Sequence, residues 1–221
     1  MYIEKTAYAL ERNDEEPNIN LAVELVKKNS KSGVLEIVNG LKSAQVQTAN
    51  DCIKVLYEIG ERKPELIADF ASDFIELLHS RNNRLVWGGM TALTFIADLK
   101  PDEIYKKRES IIRAYNRGSV ITIDNSITVF AKLIKANKTY AKTITPILLN
   151  HFQKCRAKEI PQHIERAFLC INANNCEEFK DVLQKRYNEL TDSQKKRVDK
   201  IIKKIDKKEF DQSNKGLSSK V

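Results

Sequence analysis

Apolar residues recur along this chain at a fixed interval of 37 positions. Ile19, Leu56, Leu93, Phe130 and Ala167 form one series, and Ala22, Ile59, Ile96, Leu133 and Cys170 a second. Ile37, Phe74, Ile111 and Leu148 make a third; Leu41, Leu78, Tyr115 and Phe152 make a fourth. Unrelated domains joined end to end have no reason to space their core positions alike. A stack of similar units does, because each unit buries its apolar face only against its neighbours. The period therefore predicts an elongated array that counts as one domain, rather than two globules in 221 residues.

The local pattern says what the unit is. Ile53, Leu56, Tyr57 and Gly60 fall at i, i+3, i+4 and i+7, and Met90, Leu93, Thr94 and Ala97 repeat that spacing one period later. Phe70, Phe74, Leu77 and Leu78 carry a similar stripe between them. This is helical spacing, without the alternation of a strand. Scarce Gly (7) and Pro (5) fit helices joined by short turns. Pro64 and Pro101, again 37 apart and each followed by an acid, read as helix starts, since a first-turn proline sacrifices no intrahelical bond. Helical pairs are expected at about 31–61, 64–98, 102–136, 139–172 and 176–207, after a lone helix near 18–29. The register slips after Cys170, where Val182 and Leu183 arrive three positions early. Thr191 to Gln194 reads as a capping box that opens a last helix with Val198, Ile201, Ile202 and Ile205 on one stripe. Such a helix is expected to close the array with one apolar face and one solvated face. The expected organisation is an N-terminal segment (1–17), one solenoid (18–208) and a disordered tail (209–221).

A net charge of +8 invites a nucleic-acid reading, but its location matters more than its size. Residues 191–221 hold ten Lys/Arg against five acids, which leaves 28 bases against 25 acids in the rest. Most of the basicity thus belongs to the C-terminal end. Lys106, Lys107, Arg108, Arg113 and Arg117 form a second cluster. No stretch approaches the roughly 18 apolar residues of a membrane span, and no signal peptide is visible at the N-terminus. With four cysteines and no CxxC pair, a reduced, cytoplasmic chain is expected.

Residues 80–97, running Ser80-Arg-Asn-Asn-Arg-Leu-Val86-Trp-Gly-Gly-Met90-Thr-Ala92-Leu93-Thr-Phe-Ile96-Ala97, resemble the second-helix half of a HEAT-like (armadillo/HEAT-type) repeat. Residues 63–78 before them resemble the first half, and the resemblance extends over about 31–207. It implies an all-α, right-handed α-α superhelix of about five to six helical hairpins, with the second helices lining a concave surface. Those helices are about 47–61, 83–98, 120–136, 160–172 and 193–207. The chain departs from the pattern at Trp87, which stands where such repeats commonly carry a basic residue.

Residues 37 apart on those helices should stack in rows: Asn50, Trp87 and Asp124; Asp51, Gly88, Asn125 and Gln162; Lys54, Thr91, Thr128 and Glu165. The rows are mostly polar and neutral or acidic, unlike a groove that attracts phosphate. Asn50, Asp51, Lys54, Trp87, Thr91, Asp124, Asn125 and Thr128 are therefore the candidate contacts for a protein or peptide partner. The alternative is a nucleic-acid binder, touching phosphates through Lys106, Lys107, Arg108, Arg113 and Arg117 and through Lys196, Arg197, Lys200 and Lys203. Trp87 either anchors the partner or packs between repeats, with Gly88 and Gly89 making room for it.

Enzymatic readings find little support. No phosphate-binding glycine loop, zinc-protease or serine-hydrolase motif occurs. A Trp and an Asp on a small basic scaffold are similar to features of the HEAT-like alkylpurine DNA glycosylases, yet the position one turn after Trp87 is Thr91, not a carboxylate. His151 and Cys155 lie one helical turn apart, with His163 the one further candidate ligand. Two such residues match by chance, so neither a metal nor any other cofactor is expected.

Overall fold

A computed structural model of the protein describes residues 1–207; the tail expected over 209–221 lies outside the described residues. The regular elements of the described residues are all α- or 3₁₀-helices, and the chain falls into two compact units, Met1–Asn137 and the remainder from Lys138.

In the first unit a short 3₁₀ turn (Ile3–Lys5) leads to α1 (Glu16–Lys28), α2 (Lys31–Gly40) and α3 (Val46–Arg62). Next come α4 (Ala71–Leu77), α5 (Asn83–Ile96), α6 (Pro101–Lys106), α7 (Arg108–Arg117) and α8 (Val120–Ala136). Helices α1, α3, α5 and α8 pack successively on one another, and α2, α4 and α7 back α3, α5 and α8. Side-chain caps set several of the starts: Ser30 accepts from the Gly33 N–H, Asn82 from Arg84 and Ser119 from Thr122. Asn29, in the left-handed region at φ 48°, ends α1.

The four 37-residue series are the core. Every member is buried except Ile19 and Tyr115, which are half-buried. The second helices lie where the phase places them. The first helices differ: the segment expected as one helix from 64 begins with 3₁₀ turns at Pro64–Leu66 and Ala68–Phe70 before α4. Likewise α6 and α7 are separated at Lys107, whose backbone (φ −103°, ψ 18°) leaves the helical region. Pro64 and Pro101 do open their segments, with Asp102 and Glu103 in the first turn of α6. Two short helices before a long one make a three-helix unit, a variant of this repeat class.

The two internal glycines of α5 have a different cause from the one the sequence suggests. A Cβ on Gly88 would stand 2.6 Å from Cγ1 of Ile53 on α3, and one on Gly89 would stand 2.9 Å from the Phe74 carbonyl of α4. They let α5 approach its two neighbours; they do not make room for Trp87.

The second unit comprises α9 (Ala141–Lys154), α10 (Ile160–Ala167), α11 (Cys176–Lys185) and α12 (Asp192–Lys207), joined and flanked by 3₁₀ turns. The helix expected to reach 172 is α-helical to Ala167 and 3₁₀ over Phe168–Cys170. Helix α12 lies on α10 and α11 and buries Val198, Ile201 and Ile205. Its capping box forms: the Thr191 N–H donates to Gln194 Oε1 at 2.9 Å, and Gln194 N–H reaches Thr191 Oγ1 at 3.5 Å.

Candidate functional site

The part-exposed stripes of α3, α5 and α8 hold the candidate groove residues. On α3 the stripe carries Asn50, Asp51 and Tyr57; on α5 it carries Arg84, Trp87 and Thr91; on α8 it carries Asp124, Asn125 and Thr128. Side-chain amides and hydroxyls join the helices across this face. Asn82, capping α5, donates to Asn50 Oδ1 at 2.8 Å, and Asn125 Nδ2 donates to Thr91 Oγ1 at 2.7 Å. Thr91 in turn donates to the Trp87 carbonyl one turn back, and Thr128 to the Asp124 carbonyl.

Trp87 is half-buried. Its ring meets Tyr57 of α3 with centroids 5.9 Å apart and an interplanar angle of 46°, and the Arg84 guanidinium lies 5.5 Å from its centroid. The ring thus packs between α3 and α5 while the residue stays part-exposed. Such an amphipathic aromatic, held by neighbours on two sides, is pre-organised for contact.

Asp51 and Lys54 stand apart from this open stretch, because the N-terminal segment occupies them. The Tyr8 N–H donates to Asp51 Oδ2 at 2.6 Å, and Asn18 Nδ2 donates to Asp51 Oδ1 at 2.8 Å. Lys54 is 7% exposed and sits between Glu58 at 2.7 Å and Glu15 at 3.0 Å. Arg62 closes on Glu58 at 2.5 Å, and Arg84 pairs with Glu15. Burial alone would raise the Glu58 carboxyl, yet hydrogen bonds from Lys54 and Arg62 outweigh it and hold it below the ordinary carboxylate value. Glu15 follows the same balance with Arg84 and Lys54. Burial opposes the Lys54 charge, but Glu58 and Glu15 more than compensate and push its pKa up. The Lys54–Glu58–Arg62 part of this network was readable from its i, i+4 spacing. Glu15 and Arg84 join it from distant helix ends, and no local pattern marks them.

The alternative phosphate-contact residues are divided between the two units. Lys106, Lys107, Arg113 and Arg117 are exposed, whereas Arg108 is half-buried with its guanidinium 4.8 Å from the Tyr105 ring centroid. Arg113 and Arg117 border a cleft of about 400 Å³ together with Arg81, His79, Ser80 and Asn83. No acid lines this cleft, and among the described residues Arg81, Arg113 and Arg117 make no ion pair. On α12, Lys196, Lys200 and Lys203 are exposed, while Arg197 holds both carboxylate oxygens of Glu165, at 2.9 and 2.7 Å.

In the second unit, His163, the further candidate ligand, lies beside the His151–Cys155 pair. His151 Nε2 and His163 Nδ1 are 2.8 Å apart, with ring centroids 4.8 Å apart. Burial pushes the Cys155 thiol up to about 11 despite the nearby Arg186. No disulfide joins any of the four cysteines, Cys170 and Cys176 included. No helix among the described residues is long and apolar enough to cross a membrane.

No protein-family model matches the chain. No curated protein is similar to it in sequence. Solved structures do match its fold. A designed armadillo repeat protein is 11% identical, with TM-score 0.60 over 92% of this chain and 98% of its own. Another, crystallised in complex with the peptide (KR)4, is 12% identical, with TM-score 0.62 over 84% of this chain and 86% of its own. An engineered protein reaches TM-score 0.61 at 16% identity, over 93% of this chain and 96% of that one. The chain has an all-α helical repeat fold of the armadillo/HEAT type, and the twelve α-helices of its described residues correspond to five to six hairpins.

Proposed function

We propose that the protein is a non-enzymatic scaffold that binds a protein partner through an extended peptide segment laid across α3, α5 and α8. The observation that carries this reading is the half-buried Trp87 flanked by two amide side chains with unused capacity. Among the described residues, Asn50 accepts from Asn82 and Asn125 donates to Thr91, which leaves the Asn50 amide N–H groups and the Asn125 carbonyl oxygen for another molecule. One donor and one acceptor on either side of an aromatic suit a main chain, which offers the complementary pair at every residue. Thr91, Asp124 and Thr128 complete the contact surface, while Asp51 and Lys54 shape its N-terminal boundary through their bonds to residues 8–18. A fold likeness to a designed scaffold crystallised with the peptide (KR)4 agrees with this reading.

The test is selection of displayed random peptides on the immobilised full-length chain, followed by titration of the selected peptides. Trp87 is the one tryptophan of the chain, so its emission reports directly on occupancy of this face. Selected peptides that shift Trp87 emission in a saturable way support the reading; an unchanged spectrum at saturating peptide refutes it.

The cleft with Arg81, Arg113 and Arg117 favours a second reading, nucleic-acid binding through phosphates. Phosphate contacts weaken steeply with salt. Duplex DNA and single-stranded RNA should then bind at low salt and be lost on Arg113→Gln/Arg117→Gln substitution; absence of binding at low salt eliminates this reading.

A further inference from the structure

The second unit brings together three side chains that the peptide-binding face does not use. His151 lies near the end of α9, Cys155 caps that helix one turn later, and His163 lies within α10. One donor atom from each, two imidazole nitrogens and a thiol sulfur, all fall within 4.8 Å of one another. His163 is 1% exposed and His151 7%, while Cys155 is half-buried and so gives access from solvent. We infer that His151, Cys155 and His163 form a binding site for a zinc ion, which ties α9 to α10.

The His–His hydrogen bond is the strongest indication. At 2.8 Å, His151 Nε2 and His163 Nδ1 point at each other with a single proton between two lone pairs. A metal ion placed in that gap uses both lone pairs. Tetrahedral zinc, with Zn–N near 2.0–2.1 Å and Zn–S near 2.3 Å, requires about 3.3 Å between the nitrogens and about 3.6 Å from nitrogen to sulfur. The rings therefore need to part by roughly half an ångström, a side-chain adjustment, and the sulfur already lies within reach. On binding, the proton between the rings passes to the other nitrogen of the ring that carries it. The Cys155 thiol loses its proton to solvent and ligates as thiolate. Two imidazoles and one thiolate are donors that zinc accepts readily, and three protein ligands leave a fourth position for water.

The surroundings are compatible with a cation. Arg186 Nη1 lies 4.0 Å from Cys155 Sγ and donates to the Phe152 and Cys155 carbonyls at 3.0 and 2.6 Å, which fixes the cap that carries the thiol. Its charge is offset by Glu189, bonded to Nε at 2.9 Å and to Nη2 at 2.5 Å.

The experiment uses the full-length chain, stripped with chelator and titrated with Co²⁺ as a spectroscopic probe and then with Zn²⁺. The expected result is a thiolate-to-cobalt charge-transfer band with intense visible bands at one equivalent, displaced by zinc. Cys155→Ser should abolish the charge-transfer band, and His163→Gln should weaken zinc binding by more than about ten-fold. His79→Gln, which alters the histidine outside the cluster, should leave binding unchanged. Should either ligand variant misfold by circular dichroism, the wild-type chain still decides: zinc at one equivalent should protect Cys155 from alkylation, as mapped by mass spectrometry. A folded wild-type chain without the charge-transfer band, equal zinc affinity in a folded Cys155→Ser variant, or Cys155 alkylated equally fast with and without zinc would each overturn the proposal.

Discussion

The two units arrange one kind of building block differently. In Met1–Asn137 the long helices α3, α5 and α8 stack in register, and what their exposed stripes carry is a shallow polar face around one aromatic. Among the described residues from Lys138 onward, polar chemistry moves inside, to a buried histidine pair between α9 and α10. The contrast shows how one repeat fold yields both a part-exposed polar stripe and a buried polar cluster. Where the 37-residue register runs unbroken, side chains from successive helices align and a surface results. Where a tight connection joins α9 to α10, buried groups from two successive helices converge on one point.

Breaking the ladder at its core should have the largest effect. Leu56→Ala or Phe130→Ala removes a fully buried side chain from the register and should cost about 3–5 kcal/mol in chemical denaturation. Ile201→Ala makes the matching test in the second unit, where α12 acts as the cap; about 2–4 kcal/mol is expected, and a negligible loss would show that α12 is dispensable. Gly88→Ala comes next. In an ordinary helix this change gains up to about 1 kcal/mol, but here the new methyl meets Ile53, and a net loss of about 1–2 kcal/mol is expected. A net gain would mean that α3 and α5 are not held at this distance.

The charge network of the first unit predicts a pH dependence. Glu15 and Glu58 titrate below their ordinary value of 4.5 in the folded chain, so they stabilise it above pH 4.5 and lose that contribution as pH falls through their folded values. Lys54 is raised above 10.5; its contribution is complete below that pH and fades as pH rises through its folded value. Lys54→Met should therefore flatten the acid limb of a stability–pH profile, with unchanged steepness counting against the network. The smallest effect belongs to the solvated face of α12: Lys196→Gln, Lys200→Gln and Lys203→Gln should each change stability by no more than about 0.5 kcal/mol.

Much of this was legible in the sequence, for a physical reason. Burial repeats with the stack, so Leu56, Leu93 and Phe130 announce themselves by interval alone, and the phase places the second helices. The capping box and apolar stripe of α12 are equally local signals. What escaped were effects of tertiary proximity. The break at Lys107 has no proline or glycine to mark it. The role of Gly88 depends on how closely α3 approaches α5. Glu15 reaches Lys54 because the N-terminal segment folds back on α3; the sequence does name His163 as a candidate ligand, but not the 2.8 Å approach of its ring on α10 to that of His151 on α9. Among the candidate contacts, Asn50, Trp87, Thr91, Asp124, Asn125 and Thr128 were chosen by row and lie on the part-exposed stripes, while the pairing of Trp87 with Tyr57 was not visible from spacing.

The central claim, that α3, α5 and α8 present a peptide-binding face around Trp87, is tested most directly by comparing wild type with Trp87→Ala. The measurement is the affinity of each folded protein, by calorimetry, for one peptide selected on the wild-type chain. Loss of a central aromatic contact predicts a Kd weakened by roughly 30-fold, about 2 kcal/mol. Equal affinities in the two proteins would contradict the account.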